Sequence, residues 1–245
     1  MPRSGSTRVG SRQLGIGGAL TAPKNVLLML LGVTTGVTDA TAFERLGHVF
    51  ASVLTGNLVL LGVGAARADG HLAVLAGCAI GSYSLGVLLT APRHREDHPR
   101  RPAWPLSVTR ALRTDLVFLI AFGVMWELVD GVPGSVSRVV MLSLCCLAMG
   151  VQSTAVRRLG EVSTTYLTST FTGVLEAISA RSWTDRDTRS VGILVAALCG
   201  AAAATLLISD DRRWLPAIQL LPLTVTELTS WRLIRGTATP AEAGR

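Results

Sequence analysis

Apolar residues fill eight blocks of this chain, at about residues 23–43, 49–66, 72–91, 114–129, 136–156, 163–180, 190–209 and 214–233. A helix needs about 20 apolar residues to cross the hydrocarbon core of a bilayer, and six of the blocks read as such spans. The second and sixth do not. The second carries Thr55-Gly56-Asn57 in its middle, and the sixth reads STTYLTSTFTGVLEAIS, with eight Ser or Thr residues and Glu176. Setting such a segment against lipid is costly. Covered by neighbouring helices, or lining a wet cavity, it is allowed.

Charge decides how the blocks are threaded, because cytoplasmic loops are enriched in Lys and Arg. Arg3, Arg8, Arg12 and Lys24 place the N-terminus in the cytoplasm. The stretch after the third block, PRHREDHPRRPAWPLSVTRALR, holds six Arg against Glu96 and Asp97 and belongs on the same side. Three crossings cannot return the chain there. Two can, if the second block enters and leaves on one side. The same reasoning keeps the sixth block on the side of Arg157, Arg158, Arg181, Arg186 and Arg189, and brings Arg232 and Arg235 back inside.

The predicted fold is therefore an all-α membrane protein with about six transmembrane helices plus two re-entrant or broken segments. One membrane domain covers 23–234, between a basic cytoplasmic tail (1–22) and a second tail (235–245) that are both expected to be disordered. The N-terminus could also be read as a signal peptide cleaved near Ala40-Thr41-Ala42. The run from Asn25 to Phe43 is long for that, so it is taken as an uncleaved first span. Trp104, Trp126, Trp183, Trp214 and Trp231 fall near span ends, where interface anchors belong.

The chain also repeats itself. RLGHVFASVLT at 45–55 and RLGEVSTTYLT at 158–168 share six of eleven positions, at the start of each doubtful segment. Upstream, Gly36-Val37 pairs with Gly150-Val151. A fainter echo sets Arg113 and Glu127-Leu128 beside Arg213 and Glu227-Leu228. Repeat one covers about 23–131 and repeat two about 136–234. Three crossings per half make the second half enter from the opposite side, so the repeats are expected to be inverted. Inverted repeats with broken helices build many secondary transporters, with the substrate near the midplane.

Candidate chemistry sits at the breaks. Gly56 permits backbone conformations closed to other residues, and Thr55 and Asn57 are good helix caps. An extended stretch from Val49 to Leu54 followed by a short helix is expected there. Its mate turns at Thr168, Ser169 and Thr170. Two half-helix N-termini pointing at the centre would suit a small anion or polar solute, and these six residues are the expected substrate contacts. The competing reading is that Ser, Thr and Gly only pack helices. Gly77 and Gly81, and Gly192, Ala196 and Gly200, have the spacing of such packing faces. Asp39 and Glu176 are candidates for proton or ion coupling, since an ionisable group in a bilayer is a functional hypothesis by default. For Asp39 the alternative is snorkelling or an Arg partner. Glu127 and Glu227 read more simply as paired, Glu227 for instance with Arg232.

Composition narrows the classes. Only 16% of residues are charged, against about 25% in soluble domains. The net charge of +7 lies beside apolar blocks and is not interleaved with aromatics, so it marks topology and not nucleic-acid binding. Cys78, Cys145, Cys146 and Cys199 lie within apolar blocks and match neither a zinc site nor a disulfide framework. No phosphate loop, nucleophile–base pair or cofactor motif is visible, so neither an enzyme nor a cofactor or metal is expected. The expected surroundings are a lipid bilayer and a small solute, and a homo-oligomer is allowed.

GVTDATAFERLGHVFASVLTGNLVLLG resembles the N-terminal signature of the YoaK family of small bacterial membrane proteins, and GVQSTAVRRLGEVSTTYLTSTFTGVLEAI is similar to its second-half signature. The resemblance covers about residues 25–233 and implies a multi-pass protein of the bacterial plasma membrane. It implies no activity. Relatives carry Gly after the Thr of the second turn, where this chain has Ser169. The sequence alone thus leads to a small transporter or permease, with a non-transporting scaffold or sensor as the alternative.

Overall fold

A computed structural model describes residues 14–91, 105–159, 167–210 and 212–237. They form α1 (Leu14–Arg45), α2 (Leu54–Ala66), α3 (Gly70–Thr90), α4 (Leu106–Leu128), α5 (Ser135–Arg158), α6 (Leu167–Ser179), α7 (Asp185–Asp210) and α8 (Leu215–Thr237), with a short 3-10 turn ahead of α8. The all-α expectation holds. Four helices, over Lys24–Arg45, Gly70–Thr90, Ser135–Arg158 and Asp185–Ser209, are long and apolar enough to cross a membrane. The two doubtful blocks became α2 and α6, each 13 residues. At 1.5 Å per residue such a helix reaches about 20 Å, short of the roughly 30 Å of hydrocarbon.

Helix ends differ from the apolar blocks where charge is neutralised by the fold. α4 starts at Leu106, well ahead of the expected 114, and so takes in Arg110 and Arg113. It can do so because Arg113 Nε lies 2.5 Å from Glu227 Oε1 on α8 and its guanidinium sits 5.8 Å from the Trp231 ring. Among the described side chains the partner of Glu227 thus comes from the other half of the chain; that of Arg232, its expected partner, lies outside them. α1 begins at Leu14 and α8 runs to Thr237, so parts of both expected tails are helical.

The two halves pack alike. α1 lies along α7 and α3 along α5; α4 lies on α5 and α8 on α1; α2 packs on α3 and α6 on α7. Exchanging α1–α4 for α5–α8 maps these neighbours onto themselves, with α1·α5 and α4·α8 as self-matched pairs. The closest approaches match residue by residue. A side chain at Gly36 would overlap the Ala197 carbonyl, and one at Gly150 the Tyr83 carbonyl; likewise Gly200 meets Val33 and Gly86 meets Leu147. In each correspondence (Val33 and Leu147, Gly36 and Gly150, Tyr83 and Ala197, Gly86 and Gly200) the second residue lies 114 positions after the first. α3 therefore packs through Gly86. Side chains at the expected Gly77 and Gly81 would meet nothing. The echo of Arg113 in Arg213 is not part of this repeat, because α4 and α8 begin at Leu106 and Leu215, further apart than those two arginines.

Direction follows from contacts along each pair. Lys24 Nζ donates to the Leu159 carbonyl (3.1 Å) while Gln152 Nε2 reaches the Leu31 carbonyl (3.1 Å), so α1 and α5 are antiparallel. Arg113 meets Glu227 while Gly123 packs on Pro216, so α4 and α8 are antiparallel too. α1 and α7 are parallel, with Asn25 beside Arg189 at one end and Arg45 donating to the Ile208 carbonyl at the other.

These contacts define two ends of the bundle and show what the short helices do. Gly47, just after α1, has φ +111°, and a Cβ there would strike Leu75 near the start of α3. The chain is thus at the same end before and after α2. Leu159 after α5 and Arg189 at the start of α7 touch the adjacent residues Lys24 and Asn25. α6 likewise leaves and rejoins one end, the opposite one.

The most apolar window of α5 is 72% buried and that of α1 61%, against 28% for α3 and α7. The two helices that open the repeats are therefore central, and the outer ones turn Val59, Leu88, Val117, Leu198 and Leu206 outward. Trp183, Trp214 and Trp231 are exposed at helix ends, as anchors should be, but Trp126 is buried against Phe122 (5.8 Å) and is core. Trp104 lies outside the described residues.

Candidate functional site

The interior is where the polar residues are. Thr34, Thr35, Thr38 and Thr41 on α1, Gln152 on α5, Asp115 on α4 and Gln219 on α8 are all fully buried. The threonine hydroxyls each donate to the carbonyl four residues back, at 2.7–3.3 Å. That leaves their oxygens as acceptors for the second half. Gln152 Nε2 donates to Thr35 Oγ1 (2.9 Å) and Gln219 Nε2 to Thr38 Oγ1 (2.8 Å). A polar seam thus follows α1 from Leu31 through Thr35 and Thr38 to Asp39.

At Asp39 the seam meets the first broken segment. Beyond the turn at Gly47 and His48, residues 49–53 run without helix but bend at 51–52. α2 begins at Leu54, ahead of the start expected near Asn57, so Thr55, Gly56 and Asn57 lie in its first turn and not before it. Such a stretch has no internal partners for its backbone groups, so side chains must supply them. Asp39 accepts from the Ser52 amide (2.8 Å) and the Ser52 hydroxyl (2.5 Å). Asn57, itself buried, accepts from the Phe50 amide (2.9 Å) and donates to the Phe50 carbonyl (2.6 Å). Phe50 also stacks on Phe43 at 5.3 Å. Two side chains predicted as site residues therefore hold the break in shape.

The remaining predicted residues are placed as follows. Thr55 is exposed, and Gly56 packs under Phe50 and Val53. Thr168, Ser169 and Glu176 are exposed on α6, while Thr170 is buried. Thr168, Ser169 and Thr170 fall in the first turn of that helix and Glu176 near its end, and the preceding 160–166 lie outside the described residues. The α2 N-terminus has no side-chain cap, and the carboxylate of Asp39 stands beside it at Ser52, where an anion was expected. Among the described residues no group of His, Cys, Asp or Glu could hold a metal ion.

Sequence reasoning missed Asp115, Gln152 and Gln219. Each is a polar residue inside or beside an apolar block, a signal that could have found them. Asp115 differs from half-buried Asp39 and buried Glu227. Asp39 has Ser52 and Glu227 has Arg113, but neither oxygen of Asp115 has a hydrogen-bond partner among the described residues. Cys145 on α5 lies beside Gln219 and within electrostatic reach of both Asp39 and Asp115, so the seam and Asp115 share one interior.

A bundle with apolar residues outward and threonine, glutamine and aspartate inward is a multi-pass membrane protein. Residues 27–227 match the family described as "Protein of unknown function (DUF1275)", and the chain belongs to that family. It is 28% identical over 218 residues to the "UPF0700 transmembrane protein YoaK" of Bacillus subtilis (strain 168), covering 84% of this chain and 94% of that protein. No solved structure matches the chain.

Proposed function

We propose that this protein is a small secondary transporter of the plasma membrane, built as an inverted repeat of two three-span halves, each with one re-entrant helix. The antiparallel running of α1 with α5 and of α4 with α8 supports the inversion. α4 and α8 complete the six spans, the charges of Arg113 and Glu227 being neutralised within the bundle. Lys24, Arg157, Arg158, Arg186 and Arg189 gather at one end, which is then the cytoplasmic end. Single cysteines at positions 48, 68 and 132 should label only from outside, and one at 182 only from the cytoplasm. Opposite labelling of 48 and 68 would show that α2 crosses, and the topology would fall.

The observation that carries transport is the seam itself, shared between the halves at the bundle centre. Of the two solute classes, it favours a polar solute with hydrogen-bond donors over an anion. The amide N–H groups of Gln152 and Gln219 and the threonine hydroxyls are engaged, whereas Gln219 Oε1 and both oxygens of Asp115 are acceptors with no donor. Proteoliposomes offered a panel of labelled amines, polyols, amino acids and small anions should accumulate a donor-bearing solute. Uptake of none, or of anions alone, would refute the reading. A second reading, a scaffold whose polar turns only pack, draws on Asn57, whose amide is spent on Phe50.

A further inference from the structure

We infer that Asp115 is a proton-exchange site inside the bundle, the residue through which the proposed transporter takes up and releases a proton. The inference deepens the transport reading but stands on separate observations. Asp115 is fully buried, and neither of its oxygens finds a donor among the described residues. α4 spans Leu106–Leu128, which puts Asp115 about 3 Å along the axis from the helix midpoint at 1.5 Å per residue. It thus lies in the central part of the helix, on its buried face.

An ionised carboxylate in such a place needs a cation or several hydrogen bonds, and without them it is held neutral. Among the described residues, the charged and titratable groups on the helices around it do not fill that need. On α4 itself Arg113 is taken by Glu227 of α8, while Arg110 lies more than a turn toward one end and Glu127 at the other. On α5, Arg157 and Arg158 lie at one end, where Arg158 donates to the Ser107 and Thr90 carbonyls, and Arg138 lies at the other, donating to the Pro133 carbonyl. The groups near Asp115 are the Cys145 thiol and, across it, Asp39. Neither brings a positive charge that could offset an ionised Asp115.

In the proposed exchange Asp115 releases its proton when the interior opens to water. In that step the carboxyl O–H bond breaks, the electron pair stays on the oxygen, and the proton passes to a water molecule; recapture reverses it. A metal cation suits the place less, since it requires several oxygen ligands, and among the described residues no group of His, Cys, Asp or Glu could hold one. Asp39 and Glu176, the couplers expected from sequence, differ: Asp39 is bonded to Ser52, and Glu176 is exposed.

Infrared difference spectra of the full protein in liposomes, recorded between acidic and alkaline pH, test this without any substrate. A protonated-carboxyl C=O band should be lost on going to alkaline pH, should be absent in Asp115→Asn, and should persist at a shifted frequency in Asp115→Glu. Asp39→Asn should leave it in place. A band that survives Asp115→Asn, that never titrates, or that is missing from the wild type overturns the inference. If the solute panel fails while this band titrates, the transport reading falls and the proton site stands.

Discussion

Gly150→Leu should abolish most of the folded protein, whereas Gly77→Leu and Gly81→Leu should leave its yield and thermal stability unchanged. A side chain at Gly150 would overlap the Tyr83 carbonyl and crowd the Val87 amide on α3. The obstacle is helix backbone, which cannot rotate aside as a side chain can. Overpacking in a well-filled interior costs about 1–3 kcal/mol, and a clash with backbone belongs at or above the top of that range. α3 would have to move off α5, which would also unseat Gly86 from the Leu147 carbonyl. In lipid no hydrophobic driving force restores the pair, since close packing is what holds such helices together. Because Gly36 occupies the matching place against Ala197, Gly36→Leu should fail to a similar degree. Size-exclusion profiles and melting in detergent provide the comparison. If Gly150→Leu proves as stable as Gly77→Leu, the close α3–α5 contact is wrong.

That pattern of glycines shows what the sequence made legible. Gly36-Val37 and Gly150-Val151 could be aligned from sequence because they flank matching RLG motifs, and those glycines turned out to be the contact points. Gly86 and Gly200 could not be paired, since no motif adjoins them; only the packing shows them to be mates. Gly77 and Gly81 had the right spacing but lie on a face of α3 that meets no helix. Spacing identifies a small-residue stripe and says nothing of which way it turns. The broken segments were legible because Ser, Thr, Gly and Asn are poor company for lipid. The partner of Glu227 was not, because Arg113 is 114 residues away in sequence and comes close only through the α4·α8 pair. Asp115 was overlooked for a related reason: hydropathy starts the fourth block beside it, while the helix starts at Leu106 and puts it near the middle.

Asn57→Leu should release the non-helical stretch ahead of α2 while the rest of the bundle holds. Leucine matches asparagine in size, so the packing around α2 changes little. What is lost is chemical: the Phe50 amide loses its acceptor at 2.9 Å and the Phe50 carbonyl its donor at 2.6 Å. Each buried backbone group left unmade costs about 1–3 kcal/mol, and water cannot reach into lipid to replace the partner. Asp39 would then hold the stretch alone, through Ser52. Asn57→Asp should be no rescue, since a carboxylate can accept from the Phe50 amide but cannot donate to its carbonyl, and it adds a negative charge to the segment that Asp39 already holds. In hydrogen–deuterium exchange, peptides over residues 46–56 should exchange faster in Asn57→Leu, while those from the buried middle of α5 keep wild-type protection. Unchanged exchange over 46–56 would mean that Asn57 does not set the break. Loss of protection throughout would mean that it braces the whole bundle, and that the break is part of the core and not a movable element at the end of the seam.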